Sequence, residues 1–136
     1  MTARPFTPAE ANSALEAVRP AAERLVEVRA RMRELDHAQT ELLSSIAGNG
    51  GGHSGSDLAE ARSELESLAK VASACADRLD ELGVILKDPD VGLLDFVSER
   101  EGEIVLLCWH VGEDEVAWWH SPQDGFAGRK PIDWDE

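Results

Sequence analysis

The chain reads as an α+β protein: a long antiparallel helical hairpin, coiled-coil-like, followed by a small three-stranded antiparallel β-meander. Three observations predict this. Apolar residues recur at heptad spacing through most of the first 82 positions, the signature of a seam between packed helices. A glycine-rich stretch, Gly48–Ser56, divides that pattern in two. At Gly83 the pattern changes to short apolar runs separated by turn residues, which is strand and hairpin patterning. We expect one domain over residues 1–136, with helices at 8–47 and 57–82 and the meander and C-terminal loop over 84–136.

Thr7-Pro8-Ala9-Glu10 starts the first helix. Thr7 caps, Pro8 suits the first helical position, and Glu10 completes a capping box. Phe6 stands where a hydrophobic staple belongs. One seam position takes Val18, Leu25, Met32, Gln39 and Ile46; the other takes Ala14, Ala21, Val28, Leu35 and Leu42. Pro20 lacks a donor and crowds the preceding turn, which predicts a kink or break near Arg19. Gly48 ends the helix. The glycines that follow have no strand before them and no Lys-Ser/Thr after them, so they read as a linker and not a phosphate loop. His53 is then a loop residue. Ser56 or Asp57 caps a second helix with the seam Leu58, Ala61, Leu65, Leu68, Ala72, Cys75, Leu79 and Leu82. Two narrow seams cannot build a core alone. The C-terminal third must cover them, or a second copy of the hairpin, which predicts a homodimer.

The strand-like runs are Leu93–Val97, Ile104–Val111 and Val116–His120, after a short apolar run at Val84-Ile85-Leu86. Ser98–Glu103 with Gly102, and Gly112–Glu115, are the turn segments. Pairing Ser98 with Glu103 sets Phe96 opposite Val105. Pairing Val111 with Val116 sets Trp109 opposite Trp118 and Cys108 opposite Trp119. In that register Trp109, Trp118 and His120 lie on the apolar face toward the helices, and Asp95, Cys108, His110 and Trp119 lie on the other. A three-residue loop would slip the pairing by one and regroup these side chains.

Composition excludes several classes. The 136 residues carry 13 Lys+Arg and 27 Asp+Glu, a net charge of −14, which opposes binding to nucleic acid or anionic membranes. No apolar run approaches the ~20 residues of a membrane span, and the first twenty residues lack a signal-peptide pattern. Two cysteines in such a chain read as reduced thiols of a cytoplasmic protein. Lys87–Glu136 holds 4 Lys+Arg and 13 Asp+Glu, so −9 of the charge falls there, together with all four tryptophans.

Leu86-Lys87-Asp88, Gly92-Leu93-Leu94-Asp95-Phe96, Leu107-Cys108-Trp109, Gly112-Glu113, Trp119-His120 and Gly125-Phe126-Ala127-Gly128-Arg129-Lys130-Pro131 follow in order after Phe6-Thr7-Pro8 and Glu10-Ala11-Asn12. With these motifs the chain resembles a small bacterial family of uncharacterised proteins, a domain of unknown function. The resemblance implies a stand-alone cytosolic protein and transfers no activity, cofactor or catalytic residue.

The residues themselves offer three readings. Cys108, His110, Glu113 and His120, with Asp95, are zinc-ligand types gathered in one hairpin, though the expected register puts His120 on the opposite face and no CxxC spacing supports them. Cys108 as nucleophile, a histidine as base and Asp95 as orienter would make a hydrolase, against which stands the placement of Cys108 inside a strand. A non-catalytic interaction and self-association module needs the fewest assumptions. Trp109, Trp118 and Trp119, with Arg129 and Lys130, are the residue types of interface anchors, for a protein partner or a second copy. In so acidic a segment Arg129 and Lys130 are expected to find an internal partner among Asp95, Glu113 and Asp124.

Overall fold

The computed structural model describes residues 4–49 and 55–134. The fold is α+β, as expected. Helix α1 runs Pro8–Asn49 and helix α2 Gly55–Glu81, and the two pack together as a hairpin. The expected linker glycines 50–52 and His53 lie outside the described residues.

The start of α1 is the predicted capping box. Thr7 Oγ1 accepts from the Glu10 N–H at 3.1 Å, and Glu10 Oε1 accepts from the Thr7 N–H at 2.9 Å. Phe6 does more than staple the helix: its ring meets Phe96 edge-on at 5.1 Å, and its N–H donates to the Val97 carbonyl. The expected break at Pro20 does not occur, and α1 continues through it. Pro20 and Glu16 both face solvent, so water can take the carbonyl that loses its helical donor. The buried stripe of α1 is Ala11, Leu15, Val18, Ala22, Leu25, Val28 and Leu35. Ala14 and Ala21, expected in the seam, are only half-buried.

The meander has five strands where three were expected: β1 Ile85–Asp88, β2 Leu93–Arg100, β3 Glu103–Trp109, β4 Trp118–His120 and β5 Lys130–Pro131. They pair antiparallel in chain order. The short run around Ile85 becomes an edge strand instead of a lead-in, and Lys130-Pro131 closes the other edge, where a proline costs no ladder bond. The turn between β1 and β2 passes close to α1. A Cβ on Gly92, where φ is +68°, would stand 2.4 Å from Val111 and 3.0 Å from Val26.

Two register corrections follow. The β2–β3 turn is the pair Glu101-Gly102, with Arg100 opposite Glu103 and Phe96 opposite Leu107. This shifts the expected pairing by two residues, so the faces are unchanged. The β3–β4 pairing is displaced by one: Cys108 opposes Trp118, Leu107 opposes Trp119 and Leu106 opposes His120. Trp119 therefore joins the helix-facing side with Leu94, Phe96, Leu107 and Trp109 in the core. Trp118 and His120 move to the face of Asp95 and Cys108. The cause is that nine residues, 109–117, separate the paired Cys108 and Trp118, an odd number where the expected four-residue hairpin has an even one. The connection is tied down from outside: Asn12 accepts from the Val116 N–H at 2.7 Å and donates to the Val116 carbonyl at 3.1 Å.

Candidate metal centre

The slip of one residue completes the site by adding His120 to Asp95 and Cys108. Asp95 on β2 and Cys108 on β3 are direct cross-strand partners, and His120 on β4 stands diagonally from Cys108, beside its partner Trp118. One ligand-type atom from each of the three lies within 4.8 Å of the others. All are closed off from solvent, with 1% of Asp95, 1% of Cys108 and 3% of His120 exposed. The obstacle to grouping His120 with Cys108 was the expected register, and it disappears with the correction.

His110 and Glu113 do not join. His110 Nδ1 lies 2.8 Å from the Val111 carbonyl. Glu113 receives Arg129 Nη2 on both carboxylate oxygens, at 2.9 and 2.6 Å, and the His110 N–H on one of them. Glu113 is thus the internal partner of Arg129. The Arg129 guanidinium is stacked between Trp118 (5.1 Å) and Phe126 (4.6 Å). Lys130 lies 4.9 Å above the Trp119 ring.

The tryptophans separate. Trp109 is fully buried, with Arg19 over its ring and its indole N–H donating to the Glu113 carbonyl at 3.0 Å. It is a core residue and is not available to a partner. Trp119 is 9% exposed and packs edge-on against Trp134 at 5.8 Å. Trp118 is half-buried beneath Arg129.

The electrostatics concentrate on Cys108. Burial pushes its thiol up to about 11, and the Asp95 charge adds to this, against a smaller opposing pull from Arg129. A free thiol in this setting is held as SH, so Cys108 is no activated nucleophile. A bound cation would reverse that, because a coordinating thiol is deprotonated outright.

His120 fixes the rest. Its Nδ1 is 2.8 Å from the Ser121 carbonyl, and its Nε2 is 3.3 Å from Asp95 Oδ1. A carbonyl only accepts, so Nδ1 carries a hydrogen, and Nε2 is the ring nitrogen turned toward the carboxylate. The second oxygen, Asp95 Oδ2, is buried without a hydrogen-bond partner. Nothing local in the sequence pointed to Ser121 as the orienting group, since a backbone carbonyl leaves no mark on composition.

Among the described residues, no helix is long and apolar enough to cross a membrane. No curated protein and no solved structure matches the chain. Residues 4–132 match the family described as uncharacterized conserved protein (DUF2203), and the chain belongs to that family.

Proposed function

We propose that this is a divalent-metal protein of the zinc type, with the ion held by Asp95 Oδ, Cys108 Sγ and His120 Nε2. The observation that carries the reading is a cluster of three buried ligand-type side chains whose ligand atoms all lie within 4.8 Å of one another, with Asp95 Oδ2 left without a partner among them. A proton between His120 Nε2 and Asp95 Oδ1, 3.3 Å apart, would account for that one contact and leave Oδ2 without a partner. A cation accounts for both carboxylate oxygens, the imidazole and the thiol together. Tetrahedral zinc spaces its ligand atoms about 3.3–3.8 Å apart, so the 4.8 Å spread closes with small side-chain rotations. The Nδ1 contact to a carbonyl is also the outer bond that metal-binding histidines make. Three ligands from three successive strands make the ion a clamp on the sheet. A thiolate ligand suits a cytoplasmic setting, where cysteines stay reduced.

Elemental analysis of the untagged protein tests this. About one zinc or other divalent ion per chain is expected, lost in Cys108→Ala and in His120→Ala. Protein that stays metal-free after growth and dialysis with zinc would overturn it.

Self-association is the second reading, as a homodimer through the hairpin. Its support is an apolar groove between α1 and α2, lined by Ala17, Ala21, Val71 and Ala74 together with Arg24 and Arg78. Small side chains let a facing helix approach closely. Light scattering should give twice the chain mass, and Ala74→Glu should return the monomer; a wild-type monomer would rule the dimer out.

A further inference from the structure

We infer that the metal centre takes a small monoanion as its fourth ligand, held by a hydrogen bond from Arg129 Nε; the inference rests on the metal reading above. Among the described residues, two buried side-chain polar atoms have no partner, Asp95 Oδ2 and Arg129 Nε. One is an acceptor and the other a donor. Their residues lie on the two sides of the same cysteine in the sheet. Asp95 opposes Cys108 on one side, Trp118 opposes it on the other, and Arg129 is stacked on Trp118.

The pairing of Arg129 leaves the needed edge free. Both bonds to Glu113 come from the single nitrogen Nη2. A guanidinium carries five N–H donors in a fixed plane, so Nε–H remains to be used. A buried N–H without an acceptor costs about 1–3 kcal/mol, and neither Asp95 nor any other protein group answers it. Three protein ligands with one open position form the arrangement in which zinc accepts solvent or an exogenous group. A ligand bound there has the metal on one side and an unanswered N–H on the other.

Two features select its chemistry. Asp95 and a thiolate at Cys108 already balance a divalent charge, so a dianion such as phosphate is disfavoured and a single negative charge is the limit. The three ligand residues are 1–3% exposed, which admits only a ligand of a few atoms. Hydroxide is the native candidate, and a small linear anion can stand in for it.

Cobalt(II) loading gives a visible spectrum that reports the ligands directly. Wild-type protein should bind one Co²⁺ and show intense tetrahedral bands. Thiocyanate should shift those bands with a saturable dependence, and inorganic phosphate should not. Arg129→Lys keeps a positive charge beside Glu113 but lacks Nε, and it should bind cobalt in the same stoichiometry with thiocyanate affinity at least tenfold lower. Failure to bind cobalt would sink the metal reading itself. Cobalt bands indifferent to thiocyanate in the wild type, which needs no variant, would overturn this inference alone. So would Arg129→Lys binding thiocyanate as the wild type does, or phosphate binding as well as thiocyanate.

Discussion

Asn12 joins the first helix to the far end of the meander through one side chain. Its Oδ1 accepts from the Val116 N–H, while Nδ2 donates to the carbonyls of Val116 and Pro8. Val116 is 3% exposed, so both of its backbone groups depend on this one amide. Asn12→Ala should cost about 2–3 kcal/mol, the penalty of stranding buried polar groups, read as a lower urea midpoint. A change below about 0.5 kcal/mol would mean that water replaces the amide. Glu10 illustrates a pH effect. The Thr7 N–H, and then Arg4, hold its carboxyl below the ordinary 4.5. A lowered acid contributes stability that is present above the unfolded value and lost as pH falls through the folded one. Wild type should therefore exceed Glu10→Gln in thermal stability at pH 7, and the two should converge below pH 4. A gap that widens as the pH falls would contradict this assignment.

At the scale of elements, α1 carries Pro20 without interruption, which leaves one hydrogen bond to be gained. Pro20→Ala restores the bond to Glu16 at an exposed site and should stabilise the chain by about 1–3 kcal/mol, seen as a rise in melting temperature. A fall would show that the proline shapes the hairpin groove. The beginning of α1 was legible because its chemistry is local: Thr7, Pro8 and Glu10 lie within four residues. The β2–β3 faces were legible for a similar reason, since an error of two residues leaves alternation intact. The β3–β4 register was not. Its connection is held by Asn12, 104 residues away in the chain, and by the Trp109 indole on the Glu113 carbonyl, and no turn motif within 110–117 encodes either. That single slip decided the candidate site. Cys108 and His120 were recognisable as ligand types, but their company was set by tertiary bonds. The β2–β3 shift set Asp95 directly opposite Cys108, the β3–β4 slip brought in His120, and His110 and Glu113 stay in the adjoining ion-pair layer.

The whole molecule is unevenly held. Burial is dense where the helices lie on the sheet and thins beyond Leu35 in α1, while in α2 the stretch 57–70 has only Ala61 buried. An ion pair, Arg31 with Glu64 at 2.9 Å, bridges the helices there, but half-exposed pairs are worth only about 0–1 kcal/mol. Low contact density of this kind permits local opening below the global unfolding energy. The helix signal at 222 nm should therefore begin to fall several degrees before the sheet unfolds. The four tryptophans make that separable. Three lie in the sheet, the fourth packs on Trp119, and the chain has no tyrosine. Excitation near 280 nm thus addresses one half of the molecule, and far-ultraviolet ellipticity mainly the other. Superimposable melts by the two methods would refute the uneven picture. The chain comes with two optical windows onto two territories, and a cation entering among β2, β3 and β4 would be visible through only one of them.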